Sequence, residues 1–413
     1  MQPVKISIHG DYIDCQIYRG RLYLWTFDGK IKVYKWNDLI NSLPNNKRDA
    51  LPLKFCFLDG NYLYKSDLVE LFHDSNFKKL LIDKFSILSK QYYKLSEKQV
   101  DKYLFGEQDN PNKALPTDTE IYGSILYYIT EKGLFSSTAH RNNHKYPVST
   151  KSTKLWDCNL LSIKANKYPQ LALSGGDEGL FEFDISYYFR RKWNMKDPVQ
   201  ISKNHSSFAN YTYYSIYNSS LNEGSYMALF DLKKVDEEVI ADVHNFGKSK
   251  FQREFNKEIT EMKIFKTQGQ RNNLSWGIDD KIYRTTDNGF EIVRFRNNPN
   301  KDKGEEQFTQ LHNLNLQAWK GKVIGGGTSY FGTIVECENA LVVLLSNGQT
   351  KTIEGPITRW RVYPRSMNYQ NHLHVIMDDR IDIYSFNQDY FLDQNEKLIG
   401  LEHKTQRREY GRD

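Results

Sequence analysis

The chain has 413 residues, with 57 Lys and Arg against 51 Asp and Glu, for a formal net charge of +6. It is 39% hydrophobic and 26% charged, and its 28 Tyr and 23 Phe supply large groups to bury, which excludes wholesale disorder. No run of about 18 apolar residues occurs, which excludes a membrane-spanning helix, and so mild a positive surplus falls short of a dedicated nucleic-acid binder.

The opening stretch, Met1-Gln2-Pro3-Val4-Lys5-Ile6, has no apolar core of a secretory signal. Cys15, Cys56, Cys158 and Cys337 lie far apart with no CxxC pair. That spacing encodes neither a zinc knuckle nor a redox pair, and it leads us to expect a reducing, cytoplasmic setting. No metal or cofactor is expected.

Along the chain one pattern recurs: a short apolar strand, a tight Gly- or Asp-bearing turn, then an alternating strand. Its first copy is Arg21–Phe27, turn Asp28-Gly29, and Lys30–Trp36. Period-two alternation around Asp-Gly is a strong local signal for a β-hairpin. A further candidate hairpin, Leu53–Leu58 with turn Asp59-Gly60 and Asn61–Tyr64, follows it. The period then switches. Ser66 and Asp67 offer an N-cap, and Phe77, Leu80, Leu81, Phe85 and Leu88 keep three-to-four spacing. Ser96-Glu97-Lys98-Gln99 matches a capping box. Residues 65–106 therefore read as a helical insertion, ended by the turn cluster Asp109-Asn110-Pro111-Asn112.

The hairpin pattern then resumes. Its next copies are Ser124–Thr130 into Leu134-Phe135, Gln170–Ser174 into Leu180–Asp184, and Tyr211–Ile216 into Tyr226–Phe230. After these come Lys281–Arg284 into Phe290–Phe295, Ala340–Leu345 into Gln349–Ile353, and His372–Met377 into Arg380–Phe386. Successive turn glycines stand 46 residues apart (Gly133 to Gly179) and 45 apart (Gly179 to Gly224), then 65 (to Gly289) and 59 (to Gly348). A four-stranded propeller blade takes roughly 40–50 residues. A lone twisted sheet of this size cannot bury both faces, whereas radial stacking on neighbours does so. The fold class expected is all-β, a β-propeller of about seven four-stranded blades with the helical insertion between the first two. Its domains are one propeller over 1–400 with the insertion at 65–106, and a basic tail at 401–413. Val4–Ile8 is expected to complete the last blade and remove its open edge; the alternative closer is Lys397–Ile399.

Leu171-Ala172-Leu173-Ser174-Gly175-Gly176-Asp177-Glu178-Gly179-Leu180-Phe181-Glu182-Phe183-Asp184 resembles the central hairpin of a WD40 blade, with Phe183-Asp184 at the Trp-Asp position. The resemblance is to the β-propeller superfamily, WD40-like in outline, and covers about a dozen residues. Thr285–Phe290 partly resembles the structural Asp-box turn of sialidase-type propellers, with Ile292 where its closing aromatic would stand.

Several clusters invite a chemical reading. His140 and His144 stand four apart in a polar segment, without the Glu that a hydrolytic zinc site places beside its first His; a surface loop is expected. His372 and His374 share one strand face and suit packing between blades. Gly325-Gly326-Gly327 leads into a strand rather than a helix and carries no Gly-Lys-Ser/Thr, so close backbone packing is expected in place of a phosphate cradle. Two basic-aromatic clusters stand out. One is Tyr187, Arg190, Arg191, Lys192 and Trp193; the other is Arg359, Trp360, Arg361 and Arg365. This composition suits partner contact, base stacking beside phosphate, or aromatics packed between blades with Arg reaching outward.

With no complete catalytic motif in view, the function expected is a non-enzymatic protein-interaction platform, with protein partners and no membrane. Two alternatives from other classes stay open: a propeller enzyme with a site at its axial mouth, and a single-stranded nucleic-acid binder.

Overall fold

In the computed structural model, residues 1–44, 46–58, 63, 70–139, 146–186, 197–234, 251–266, 274–287, 289–296, 307–315, 319–392 and 397–402 are described. Among the described residues there are seven sheets, six antiparallel ones of four strands and one of five that is antiparallel except for its last strand. It is a β-propeller of seven blades. It divides into two compact units, one mainly 1–113 with 327–413, the other mainly 114–141 with 148–326.

The first unit opens with β1 (Val4–His9). The first blade follows as β2 (Tyr12–Tyr18), β3 (Arg21–Thr26) and β4 (Lys30–Lys35). Next come α1 (Trp36–Ser42), α2 (Lys47–Phe57), α3 (Ser75–Ser89), the short β5 (Tyr93–Leu95), α4 (Glu97–Val100) and β6 (Leu104–Asp109). Because β6 pairs with β4, the insertion leaves and re-enters the chain ahead of the first blade's outermost strand. It starts at Trp36, earlier than its sequence periodicity suggests.

The second unit holds four blades in succession. They are β7 (Asp118–Tyr122) to β10 (Thr153–Trp156) with β8 (Ile125–Thr130) and β9 (Gly133–Thr138) between; then β11 (Ser162–Ala165), β12 (Gln170–Ser174), β13 (Leu180–Asp184) and β14 (Val199–Ser202). The third is β15 (Phe208–Thr212), β16 (Ser215–Ser219), β17 (Tyr226–Lys234) and β18 (Phe251–Thr260), followed by α5 (Glu261–Phe265). The fourth is β19 (Ser275–Ile278), β20 (Lys281–Thr286), β21 (Gly289–Phe295) and β22 (Phe308–Leu314). Of the leading strands, β7 contacts β11, β11 contacts β15 and β15 contacts β19. Apolar clusters such as Leu171, Leu173, Phe181 and Phe183 with Ile129, Leu134 and Leu155 fill the space between neighbouring sheets.

The next blade is made of β23 (Val323–Ser329), whose residues up to Gly326 belong to the second unit, with β24 (Gly332–Cys337), β25 (Ala340–Leu345) and β26 (Thr350–Glu354) in the first. The last blade consists of β27 (Ile357–Val362), β28 (His372–Met377) and β29 (Arg380–Ser385), completed by β1 and, beyond it, β5. β1 runs antiparallel to β29 from Val4↔Ser385 to His9↔Arg380, and β5 runs parallel to β1 at Ile6↔Tyr93 and Ile8↔Leu95. The closing strand is therefore Val4–His9, as its alternation suggests, and the insertion covers the edge that β1 would otherwise expose.

Two local expectations are corrected. Leu53–Leu58 is not a strand. It lies in α2 and its C-cap, where Asn46 caps the N-terminus by accepting from the Asp49 N–H at 3.1 Å. Leu53, Phe55, Cys56 and Phe57 are all buried, and a short apolar-rich run does not by itself separate a buried strand from a buried helix. Tyr211–Ile216 is not one strand either. The chain turns between Thr212 and Ser215, with Tyr213 at φ +55. The Ser96–Gln99 capping box is present, the Ser96 N–H donating to Gln99 Oε1 at 2.8 Å. Ser66, Asp67 and the Asp59-Gly60 turn lie outside the described residues, as does the basic tail from His403.

The glycine run is a close-packing device. A Cβ on Gly326 would come within 2.3 Å of the Trp276 ring, and one on Gly327 within 2.7 Å of Trp360. Gly326→Ala is expected to cost about 1–3 kcal/mol through overpacking, read as a lower urea midpoint; an unchanged midpoint would show that the indole can simply slide aside.

Candidate interaction surface

The first basic-aromatic cluster, with Tyr187, Arg190, Arg191, Lys192 and Trp193, lies outside the described residues, as do His140 and His144. The second sits on β27 and just after it, and the strand's two-residue period divides it. Arg359 and Arg361 face one way, toward β2. Arg361 is buried and forks onto Asp14, its Nε and Nη2 donating to the two carboxylate oxygens at 2.7 Å each. Arg359 adds a third charge contact at 3.7 Å. Asp14 is fully buried and also accepts from the Cys15 N–H at 2.8 Å. Register breaks lie at Tyr12/Asp14 in β2 and at Ile357/Arg359 in β27. Such irregularities re-aim side chains, and here both sets turn toward each other. Trp360 faces the other way, donating Nε1–H to Glu336 at 2.8 Å; burial raises the Glu336 carboxyl, which this bond and Arg359 partly offset. Arg365 is exposed. The outward-facing part of this cluster is therefore Arg365 with the exposed portions of Arg359 and Trp360.

Next to the Asp14 pair runs a chain of buried polar groups. His372 Nε2 lies 2.8 Å from the Cys56 carbonyl, an acceptor only, so Nε2 carries the proton. Its Nδ1 then accepts from His374 Nε2 at 3.4 Å. His374 Nδ1 is left as an acceptor for the Tyr363 hydroxyl at 3.3 Å, with the Cys15 thiol at 3.8 Å. Burial pushes His372 down to about 4, opposed by the Cys56 carbonyl, and holds His374 well below its usual range, with His372 and Arg361 adding to the effect. Burial likewise pushes the Cys15 thiol up to about 12. These groups are held neutral and serve packing, as the shared strand face of the two histidines suggests.

The sign of the resulting pH dependence follows directly. The unfolded chain takes up protons near pH 6.5, while folded His372 does so only near pH 4. Stability is full above about pH 6.5 and falls as pH drops toward about 4, by about 1.4 kcal/mol per pH unit for one such group. Urea midpoints between pH 7 and 5 are expected to fall with acid, and His372→Gln should flatten that slope. Equal slopes in both proteins would assign the effect elsewhere.

The Cys56 carbonyl belongs to the last turn of α2, where helix carbonyls lack partners of their own. It accepts from His372, from Asn371 Nδ2 at 3.1 Å and from the Ser385 hydroxyl at 2.7 Å. The neighbouring Phe55 carbonyl takes the Tyr390 hydroxyl at 3.2 Å. Trp36 is buried at the start of α1 and donates to the Phe57 carbonyl at 2.9 Å. The insertion is thus plugged into the last blade by its helix end. α3 packs behind it through buried Leu81, Phe85 and Leu88, with Phe85 against Tyr390 and Phe391, and is tied to α2 by Lys84 and Asp49 at 3.1 Å.

A second face of α3, turned about 100° from the buried one, carries exposed apolar side chains. Leu80 is 57% and Ile87 50% exposed, and Tyr92, just past the helix, is 85% exposed. Leu80 and Ile87 are seven residues apart, two turns, and share one stripe. Exposed Lys79 and Lys90 border it. The three-to-four spacing in the sequence locates the helix and its buried face. Its outer face has no sequence signal beyond two apolar residues more than the core uses.

Among the described residues no group of three or more His, Cys, Asp and Glu is placed to hold a metal ion. All four cysteines are free thiols. A small polar depression in the second unit is lined by Thr285, Thr286, Asp287, Trp319 and Lys322, beside the turn that resembles an Asp-box.

No family model and no curated protein matches the chain. Solved structures similar to it include the WD40 domain of Neurospora crassa Pan2, at 8% identity and TM-score 0.42 over 91% of this chain and 89% of that one. The computationally designed Ika8 protein is similar at 8% identity and TM-score 0.44, over 94% of this chain and 100% of that one. The AfRom2 CNH domain is similar at 11% identity and TM-score 0.36, over 66% of this chain and 94% of that one. The propeller assignment stands on the sheet order itself.

Proposed function

We propose that this propeller is a non-enzymatic interaction platform for protein partners, and that the helical insertion of the first blade is its docking element. One observation carries the proposal. The insertion is anchored on one side by the α2 carbonyls and by β5, while α3 presents Leu80, Ile87 and Tyr92 to solvent on the other. Docking residues carried on a rigid, well-anchored element lose little conformational freedom on binding, which favours affinity.

A nucleic-acid role through the second cluster finds less support. Arg361 and Arg359 already satisfy Asp14, and a phosphate would have to displace a buried carboxylate from a bidentate pair.

The double variant Leu80→Asp/Ile87→Asp tests the platform. Both positions are exposed, so the unfolding midpoint is expected to stay within about 0.5 kcal/mol of the parent. Proteins cross-linked to the chain in its native host should be lost. Retention of every cross-linked partner by a normally folded double variant would remove α3 from the docking role.

A further inference from the structure

The stretch 75–94 contains five lysines and one acidic residue, Asp83, a net +4 in a chain whose total is +6. Lys84 is spent on Asp49 within the insertion. Among the described residues, Lys79 and Lys90 form no ion pair and flank the Leu80–Ile87 stripe. Lys94 lies near the exposed Tyr92 ring, 5.9 Å from its centroid. The exposed face of α3 is therefore a narrow apolar stripe bordered by Lys79 and Lys90, with Asp83 the one acidic residue beside it. The surface that complements it is apolar along one line and acidic beside it.

We propose that α3 docks an acidic amphipathic helix of a partner protein, with partner apolar side chains on Leu80 and Ile87 and partner carboxylates on Lys79 and Lys90. This rests on the insertion being the docking element. A helix is the complementary shape, because side chains spaced at i, i+3 or i+4 and i+7 meet a stripe of matching pitch. The basic border also resembles that of a helix lying on an anionic lipid surface. Asp83 decides between the two. It lies one turn from both Leu80 and Ile87 on the exposed side, so sinking the stripe about 5–10 Å into lipid would carry a carboxylate with it. Against a protein helix, Asp83 stays at the rim, where one partner Lys or Arg can meet it.

The probe is a synthetic helical peptide with Leu at i, i+3 and i+7 and Glu elsewhere. Its companion has every Glu replaced by Lys, and phosphatidylserine vesicles form a third arm. Saturable binding of the Glu peptide to the full chain is expected, weakening as salt rises. Lys79→Glu/Lys90→Glu should weaken it about tenfold, and Leu80→Asp/Ile87→Asp about a hundredfold. Both variants are surface changes, and their melting curves report whether they fold. Equal binding of the Lys and Glu peptides, or Glu-peptide affinity unmoved by either variant, overturns the proposal. Vesicle binding that the lysine variant abolishes, without peptide binding, overturns it in favour of a lipid surface. If the Glu peptide fails while cross-linked partners are still lost in Leu80→Asp/Ile87→Asp, the acidic-helix proposal falls and the platform survives. If those partners are retained, the docking element itself is wrong.

Discussion

Deletion of residues 1–9 is expected to unfold the first unit, or leave it marginal. β1 is the fourth strand of the last blade, and Val4, Ile6 and Ile8 are fully buried in it. At about 1.5–3 kcal/mol for each buried branched side chain, their loss removes about 5–9 kcal/mol. Whole domains are stable by about 5–15 kcal/mol. The deletion also strips the Ser7 hydroxyl and Lys5 from Asp382, which is itself buried, at 2.6 and 3.4 Å. It would leave β29 as an open edge and β5 without its partner. Far-ultraviolet circular dichroism melts and soluble yield would report the loss. Ile6→Ala, which keeps the strand, should cost a smaller amount, about 2–5 kcal/mol. A truncated chain melting within a few degrees of the full one would refute the idea that this strand closes the blade.

The second large effect is expected at Asp14. Replacing it with alanine removes the carboxylate onto which buried Arg361 forks, and breaking a buried pair from one side costs about 3–5 kcal/mol. The double change Asp14→Leu/Arg361→Met removes both charges, and by the same reasoning should recover most of the loss. Urea midpoints of the two single variants and the double variant form the cycle. Near-additivity of the single losses, with no recovery in the double variant, would show that the pair is not an energetic unit. The outcome bears on function as well, since it decides whether Arg361 is a clasp between β2 and β27 or a residue with charge to spare.

Features set by neighbours in the chain were legible in the sequence. The turn at Asp177-Glu178-Gly179 is an example: Gly179 sits at φ +93, where a Cβ would meet the Ser202 carbonyl oxygen at 2.1 Å. The same holds for Asp378-Asp379, where β28 and β29 end and begin as the alternation indicates. Leu53–Leu58 was not legible. All of its residues but Lys54 are buried, which erases the amphipathic period that would mark a helix. Arg359-Trp360-Arg361 was legible as a composition but not as an arrangement. Arg361 meets Asp14 across 347 positions of sequence, and nothing near either residue announces the other. Of the exposed stripe on α3, Leu80 belonged to the periodic apolar set and Ile87 did not. Which apolar residues of α3 face outward depends on where α2 and the blade lie.

By itself the sequence determined most of the blade hairpins, the closing strand, the presence of a helical insertion and a mild positive charge. All of these rest on short-range physics: alternation, turn chemistry, capping and composition. The tertiary structure alone decided where the insertion is inserted, that its helix end is satisfied by His372, Asn371 and Ser385, that two arginines are spent on Asp14, and that Leu80 and Ile87 remain uncovered. Burial and pairing are set by groups distant in the chain, and a side chain's availability to a partner is what those groups leave over.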